Sequence, residues 1–298
     1  MSSIRSLRTF LAVARLGSFA AAGKEVGLTA AAVGLQVRAL EDELEQQLFD
    51  RGARAVVLNP AGRRLVDPVQ EIVERYEALA APAPGGRIAG TVVMGALVSA
   101  LMGAFADALW AIRRENPDLD VRLFAGQSAD FANRLERGEL DAAVATQPPS
   151  PLRSGLRWTP LYSEPMVLVV PRKPHFELPE DGIEILARCP FMRFDRQTWT
   201  GHLVDEVLAR AGASVSEGIE LNSVEAIVAL VRQGFGVSVV PRLANLQWSR
   251  DRALRIVPLP GDAVQRHVGL LERRRHGRER FTEAVKDYFG RSGGLHGA

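Results

Sequence analysis

The stretch that decides the N-terminal fold is "TAAAVGLQVRALEDEL", residues 29–44. Apolar residues recur in it at helical spacing and share one side: Val33, Val37, Leu40 and Leu44. Thr29, just before them, has a side chain that can accept hydrogen bonds from the free amides of a first helical turn. The opposite side carries few polar groups: Ala31, Gly34, Leu35 and Arg38. The stretch therefore predicts a helix with one packed face and one largely apolar free face.

Upstream, the chain predicts two further short helices. Ser3 can cap a helix that ends near Gly17, and Ser18 can cap a second helix over "FAAAGKE". The three residues "VGL" then form a tight turn before Thr29. Two short helices joined by a turn that contains glycine are the helix-turn-helix pattern, whose second helix enters the major groove of DNA. Downstream, "LFDRGARAVVLN", residues 48–59, predicts a two-stranded ribbon with its turn at Gly52–Ala53.

A longer helix is predicted from Pro60 to Leu79. Its apolar residues form a seam with the spacing of paired helices: Leu65, Val69, Ile72, Tyr76 and Leu79. Pro68 is expected to kink this helix or to shift its start, because proline lacks the backbone N–H. "AAPAPGGR", residues 80–87, has two prolines and two glycines and predicts a linker.

Beyond the linker, short predicted strands alternate with helices. The strands are "TVVMGAL", "DVRLFAG", "LDAAVAT", "MVLVVP", "FMRFD", "GVSVVP" and "HVGLLER". The helices cover residues 99–115, 129–137, 201–211 and 224–233 and the segment "ERFTEAVKDYFG". This alternation predicts a mostly parallel sheet wrapped by helices. The charge-free residues 88–106 have the length of a membrane span, but their glycines and β-branched residues favour a buried strand, a turn and a helix.

Composition restricts the function classes. The 298 residues carry a formal charge of +2, so DNA binding must rest on local arrangement rather than on net charge. Cys189 is the only cysteine, which excludes an internal disulfide, and the five histidines lack the spacing of metal ligands. No nucleophile elbow or phosphate loop suggests an enzyme, and we predict neither a cofactor nor a metal. The start lacks the pattern of a secretory signal, so we expect a cytoplasmic protein without a membrane partner.

In this order, the motifs resemble the LysR-type transcriptional regulators. The resemblance rests on "LRTFLAVARLGSFAAAGKEVGLT", "AVGLQVRALEDELEQQLFDR" and "LNPAG", and later on "RLERGELDAAVA" and "SVEAIVALVRQGFGVSVVP". It implies an N-terminal winged helix-turn-helix with a linker helix, and a C-terminal α/β sensor domain of two subdomains like those of periplasmic binding proteins. It also implies a homodimer through the linker helix, a homotetramer, and control of transcription by a small molecule. A plain solute-binding protein would explain the C-terminal part alone.

The resemblance sets the expected domains. These are a DNA-binding domain at residues 1–59, a linker helix and hinge at 60–87, and an effector domain at 88–298. Within the effector domain we expect subdomain I at about 88–161 and 266–298, and subdomain II at about 162–265.

The sequence departs from the family at the helix expected to read DNA. Members usually carry Ser-Gln-Pro-Ala-Val-Ser where residues 29–34 are Thr-Ala-Ala-Ala-Val-Gly. Apolar contact with thymine methyl groups therefore replaces much of the hydrogen bonding to bases, and Gln36 and Arg38 are the polar candidates. The expected DNA-contacting residues are Thr29, Ala30, Ala31, Gly34, Leu35, Gln36, Arg38, Arg51 and Arg54. The alternative is a degenerate domain without specific operator binding, which the acidic run Glu41, Asp42, Glu43 and Glu45 would suit.

The expected effector site lies at the carboxyl ends of the strands, where helices begin. Four predicted helices start with a hydroxyl residue, either as a simple cap or as part of a shared rim: Ser99, Ser128, Thr200 and Ser223. Thr146 ends a strand, and "FDRQTWTGH" adds Phe194, Thr198, Trp199 and His202. Helix N-termini favour negative charge, and Arg193 or Arg196 can add a positive one unless strand alternation turns it to solvent. The pattern predicts a small organic acid, with an aromatic ring favoured by Phe194 and Trp199.

Overall fold

The computed structural model describes residues 3–51, 56–79, 87–243, 248–259 and 261–291. The chain divides into two compact units. The first consists of Met1–Gly86, Arg137–Glu139 and Arg275–Glu279. The second consists of Arg87–Glu136, Leu140–Arg274 and Arg280–Ala298.

The first unit is built from four helices and a hairpin. Its elements are α1 (Ile4–Leu16), α2 (Phe19–Val26), α3 (Ala30–Glu43), β1 (Phe49–Arg51), β2 (Val56–Leu58) and α4 (Pro60–Leu79). The side chains of Ser3, Ser18 and Thr29 accept backbone hydrogen bonds in the first turns of α1, α2 and α3, which confirms the predicted caps. Gly17 and Gly27 end α1 and α2 in the left-handed conformation, with φ of 59° and 72°. The predicted turn at Gly52–Ala53 lies outside the described residues.

One face of each helix supplies the core of this unit. Its buried apolar residues are Phe10, Ala12, Val13, Ala22, Val33, Val37, Leu40, Leu48, Phe49, Val69 and Val73. Leu44 was expected on the packed face of α3, but the helix ends at Glu43 and Leu44 is exposed. The packed face of α3 therefore rests on three of its four predicted residues.

The linker helix α4 has two apolar faces instead of one seam. Asn59 Oδ1 accepts a hydrogen bond from Gly62 N at 2.9 Å near its start, and the helix continues through Pro68 without a delayed start. Val69 is buried in the core of the first unit, whereas Ile72 and Tyr76 are each 51% exposed. Placing Val69 in a seam for a second chain was therefore wrong, because that side chain already packs within its own unit.

The second unit contains the remaining elements. In chain order they are β3 (Gly90–Ala96), α5 (Val98–Leu101), α6 (Ala104–Glu115), β4 (Leu119–Ala125), α7 (Ser128–Glu136), β5 (Ala142–Thr146), β6 (Leu156–Pro171), α8 (Gly182–Arg188), β7 (Pro190–Phe194), α9 (Trp199–Ala211), β8 (Ser216–Leu221), α10 (Val224–Arg232), β9 (Ser238–Pro241), β10 (Leu254–Val257), β11 (Gln265–Arg273) and α11 (Glu279–Arg291). The charge-free residues 88–106 enter β3, α5 and α6. Within the described ranges, no helix has both the length and the apolar character needed to cross a membrane.

The main sheet is mixed, so the expectation of a mostly parallel sheet was wrong. Its strand order is β10-β6-β11-β5-β3-β4, and β9 also pairs with β6. β3 is parallel to β4 and β5, but β11 runs antiparallel to β5 and β6. β7 and β8 form a separate parallel pair. The alternation of predicted elements overlooked the first ten residues of β6, as well as α8, β8 and β10. The strand β11 lies between β5 and β6 and runs antiparallel to both, so it reverses the strand direction within the sheet.

Two hydrophobic cores lie in this unit. The first gathers residues of β3, β5, α6, α7 and α11, and the second gathers residues of β7, β9, α8, α9 and α10. The antiparallel strands β6 and β11 pass from one core to the other. Tyr162 and Val268 belong to the first core, and Met166 belongs to the second, as does Val264, which directly precedes β11. Cys189 is buried in the second core as a small apolar residue.

Candidate DNA-binding and effector sites

The exposed face of α3 has the predicted composition. Thr29, Ala30, Ala31, Leu35 and Arg38 are exposed, and Gly34 and Gln36 are intermediate. The side chain of Leu35 is 66% exposed. A large apolar side chain in water gains by meeting apolar surface, so Leu35 is suited to contact a partner. The N-terminus of α3, capped by Thr29, adds backbone amides that favour phosphate.

Gln36 is held against α1 by a contact that sequence patterns do not reveal. The hydroxyl of the fully buried Thr9 donates to Gln36 Oε1 at 2.6 Å, and it also lies 3.0 Å from the carbonyl oxygen of Arg5, with which it shares its one proton. The amide oxygen of Gln36 is therefore occupied within the protein, and its amide nitrogen remains for other contacts. Gln36 has less freedom to recognise bases than its position in α3 suggests.

Glu41 also has a structural partner. Its Oε1 accepts hydrogen bonds from the backbone N–H groups of Leu48, at 2.7 Å, and Phe49, at 3.3 Å. These bonds fix the beginning of the hairpin next to α3. Of the predicted hairpin arginines, Arg51 pairs with Val56 through the strand register, and Arg54 lies outside the described residues. The first member of the acidic run thus stabilises the fold.

In the second unit, three of the four predicted caps were wrong. Ser99 lies inside the short α5, whose cap position is Leu97, and Ser128 is the first residue of α7. Thr200 is the second residue of α9, which Thr198 caps by accepting from Gly201 N at 3.0 Å. Only Ser223 holds the predicted position, where its Oγ accepts from Ala226 N at 3.2 Å. The other three helices start one or two residues earlier than predicted, and this is enough to place the predicted cap residue inside the helix.

Three of the predicted hydroxyl residues nevertheless contact one another. Thr146 Oγ1 lies 3.3 Å from Thr200 Oγ1, and Ser128 Oγ accepts from Thr146 N at 3.1 Å. All three residues are buried. The cluster of Ser128, Thr146 and Thr200 therefore adds polar contacts between β5, α7 and α9 to the apolar packing of the first core.

The remaining residues of "FDRQTWTGH" do not form one rim. Phe194 is buried in the second core, because β7 turns its side chain inward, and its role as an effector contact stays a prediction. Trp199 is partly buried and packs against the first core, and His202 is exposed. The caps and contacts at the start of α9 therefore involve Thr198 and Thr200 rather than the aromatic residues.

Neither predicted arginine adds an uncompensated charge. Arg193 is buried and pairs with Asp205 of α9. Arg196 Nη1 lies 3.9 Å from Glu220 Oε2, and its backbone N–H donates to Glu220 Oε1 at 2.9 Å.

A cavity of about 400 Å³ lies at the ends of β7 and β8, lined by Asp195, Gln197, Glu220, Leu221 and Asn222. Two of these lining residues are acidic, and none belongs to the predicted effector set.

A buried ion pair connects the crossing strands to Ser99. Arg266 Nε donates to Glu164 Oε2 at 2.9 Å, and Arg266 Nη1 donates to Ser99 Oγ at 3.2 Å. Arg266 and Glu164 are each 1% exposed. Burial, reinforced by Glu164 and partly opposed by Arg266, raises the pKa of the neighbouring Tyr162 well above its ordinary value, so its phenol keeps its proton. Sequence reasoning missed this group, because its members are far apart in the chain.

Known families match both units. Residues 4–63 match the family described as bacterial regulatory helix-turn-helix protein, lysR family, and residues 85–293 match the LysR substrate binding domain. The second match alone spans more than half of the chain. The chain belongs to the LysR family. As a LysR-family protein it is an effector-responsive transcriptional regulator.

Relatives of this LysR-family regulator align over most of their length. A probable RuBisCO transcriptional regulator of Cyanophora paradoxa is 30% identical over 276 residues, which cover 85% of this chain and 83% of the relative. A probable hydrogen peroxide-inducible genes activator of Mycobacterium avium is 28% identical over 285 residues, which cover 93% of this chain and 90% of the relative. These proteins are named as regulators, and the degenerate alternative without operator binding is not favoured.

Solved structures share the fold of this LysR-family regulator. A full-length OxyR variant from Pseudomonas aeruginosa has a TM-score of 0.75 at 21% identity and covers 97% of this chain and 95% of that one. Full-length CbnR complexed with its target DNA has a TM-score of 0.54 at 21% identity and covers 96% of this chain and 99% of that one. At these identities the likeness concerns the fold.

Proposed function

We propose that this regulator recognises its operator mainly through apolar contacts and DNA shape, and that a small organic acid controls it. The proposed domains are the DNA-binding residues 1–59, the linker 60–87 and the effector domain 88–298. The proposed assembly is a cytoplasmic homodimer through α4 that forms a homotetramer. The recognition and effector parts of the proposal rest on separate observations.

The exposed Leu35 carries the proposal for DNA recognition. Its side chain, with Ala30 and Ala31, supplies methyl contacts for thymine, and Arg38 supplies the charged contact of the same face. We propose that Thr29 and the amides at the start of α3 contact phosphate, and that Arg51 and Arg54 do the same. Gln36, with its oxygen held by Thr9, contributes a donor to phosphate or to an acceptor on a base.

DNA footprinting at several salt concentrations tests this part. If the regulator recognises DNA shape and thymine methyl groups, it should protect a defined DNA site. Its affinity for that site should fall steeply with added salt, because phosphate contacts release counterions. Absence of any protected site on fragments flanking the regulator's own coding region and on a selected random library would contradict operator binding.

The cluster of Ser128, Thr146 and Thr200 carries the proposal for the effector. Buried hydroxyl groups can donate to a carboxylate, and Ser99 extends this set at α5. The hydroxyl groups of Thr198 and Ser223 already donate to Asp195 O at 2.7 Å and to Glu225 Oε2 at 2.6 Å, so these two residues would contribute only acceptors. Asp195 and Glu220 line the cavity beside the start of α9 and would repel a second carboxylate. The proposed class is therefore a small monocarboxylic acid, with Trp199 and His202 near its other end.

A thermal-shift screen tests the effector class. We expect a monocarboxylic acid to raise the melting temperature of wild type, because a ligand that binds the folded state stabilises it. The shift should be smaller for Ser99→Ala. If only cations or neutral sugars give shifts, or if every acid acts equally on both proteins, the organic-acid proposal is wrong.

A further inference from the structure

The side chain of Gln36 is held by a buried hydroxyl of α1. Thr9 has no exposed surface, and its Oγ1 lies 2.6 Å from Gln36 Oε1 and 3.0 Å from the carbonyl oxygen of Arg5. One proton has to serve both contacts. Inside a helix the carbonyl oxygen of residue 5 already accepts from the backbone N–H of residue 9, so the hydroxyl proton is needed only at Gln36. Thr9 therefore acts mainly as a donor to Gln36.

The distance also decides which end of the amide faces α1. Hydrogen bonds between two oxygens span about 2.5–3.0 Å, whereas those from an amide nitrogen to an oxygen span about 2.7–3.2 Å. The 2.6 Å contact fits the side-chain oxygen of Gln36 and is short for its nitrogen. The oxygen therefore points to Thr9, and the nitrogen is the outer end of the side chain.

The amide nitrogen of Gln36 is open to solvent. It makes no hydrogen bond within the described residues, and it is not one of their buried unpaired side-chain atoms. Gln36 stands on α3 next to the exposed Leu35 and has intermediate exposure itself. An amide nitrogen carries two hydrogens and does not accept hydrogen bonds. The end of the side chain that can approach DNA is thus a donor.

The four bases differ in how well they match such a donor. In the major groove guanine presents two acceptors, N7 and O6, thymine presents one, and cytosine presents only a donor. The usual pairing of glutamine with adenine needs both the oxygen and the nitrogen of the amide. Gln36 Oε1 keeps a second lone pair, but a base that used it would have to reach an atom held against the fully buried Thr9. The Thr9 contact therefore disfavours adenine as well as cytosine.

We infer that Thr9 is a positioning residue that sets the orientation of the Gln36 amide, so that α3 selects guanine at the base pair facing Gln36. The inference rests on the proposed recognition of the operator through α3, and it names the base that one polar side chain of this helix selects. It assigns a part in specificity to a residue that does not itself touch DNA, because Thr9 has no exposed surface.

The test compares base preference in the full-length regulator. Selection from a random duplex library gives the preferred site, and Gln36→Ala identifies the base pair at which the preference depends on Gln36. Electrophoretic titrations then use four duplexes, one for each base at this position. We expect wild type to bind the guanine duplex about tenfold more tightly than the adenine duplex. Thr9→Val keeps the shape of the buried side chain but removes the hydroxyl, so the amide can turn and the two affinities should become about equal.

Three further variants separate positioning from folding. Thr9→Ser keeps a hydroxyl, so it should keep the preference for guanine. Thr282 is also fully buried but lies on α11 in the second unit, so Thr282→Val should leave the base preference unchanged. Gln36→Glu replaces the donor by an acceptor and should move the preference to cytosine, whose amino group donates. Far-UV circular dichroism checks that each variant retains its helices.

The outcomes separate this inference from the proposed function. If Gln36→Ala changes no base preference within the selected site, Gln36 does not select a base and the inference is overturned, while recognition through Leu35 and Arg38 stands. If wild type prefers adenine at the identified pair, or if Thr9→Val keeps the preference for guanine, Thr9 does not set the amide and the inference is overturned as well. If the library yields no preferred site, the proposed recognition of an operator fails and this inference fails with it.

Discussion

At the scale of single residues, α3 shows how hydrogen-bonding partners change the meaning of a side chain. The sequence makes Gln36 a candidate for base contact, but its side-chain oxygen accepts a hydrogen bond from Thr9. The acidic run that includes Glu41 suits a domain without operator binding, yet Glu41 accepts two backbone hydrogen bonds at the start of the hairpin. Leu35 and Arg38 keep their exposed positions, so the recognition of bases depends mostly on them.

Arg38 and Arg54 should differ in how they affect DNA binding. Arg38→Ala should lower affinity for the protected site about tenfold and change affinity for random DNA much less, since it removes a contact to bases. Arg54→Ala should weaken binding to the protected site and to random DNA by similar factors. It should also reduce the slope of the logarithm of affinity against the logarithm of salt concentration by about one, since it removes a phosphate contact. Electrophoretic titrations with specific and random duplexes at several salt concentrations measure both effects.

Leu35→Ala is the apolar counterpart of these changes. The loss of DNA affinity in this variant should be largest on sites where a thymine faces Leu35, because the contact with the thymine methyl group is then removed. If Arg38→Ala and Leu35→Ala weaken specific and random duplexes equally, α3 does not recognise bases.

At the scale of elements, α4 shows that one helical period can serve two surfaces. Val69 and Val73 pack into the first unit, and Ile72 and Tyr76 remain half-exposed on the same helix. The exposed pair is the part of the predicted seam that is available to a second copy of α4.

Ile72→Asp with Tyr76→Asp should therefore give folded monomers. Two charges would be buried in the proposed contact between helices, while the core of the first unit is left untouched. Sedimentation velocity measures the mass, and far-UV circular dichroism checks that the helices are retained. Val69→Asp is the contrasting variant, which should unfold the first unit because it places a charge in the core. Intact dimers of the double variant would show that α4 does not form the interface.

At the scale of the whole molecule, the second unit is organised by two strands that were only partly predicted. β6 and β11 cross from one core to the other, and their antiparallel pairing makes the sheet mixed. Their crossing also brings Glu164, Arg266 and Ser99 together from positions far apart in the chain. A ligand that engages Ser99 would thus act beside the strands shared by both cores.

The sequence alone determined the features that depend on near neighbours. The caps of α1, α2 and α3, the end of α1 near Gly17 and the bounds of α4 follow from local hydrogen bonding and helical period, and they were predicted correctly. The order of motifs was also sufficient to indicate the family, which the matches over both units show.

Only the tertiary structure decided the features that depend on distant partners. The burial of Phe194, the pairing of Arg193 with Asp205 and the ion pair of Glu164 with Arg266 could not be predicted from local patterns. Periodicity predicts which residues share a face of a helix or strand, but it does not predict which other element that face packs against. Pairing between β6 and β11 joins residues about a hundred positions apart, and such contacts are fixed by the packing of the whole sheet.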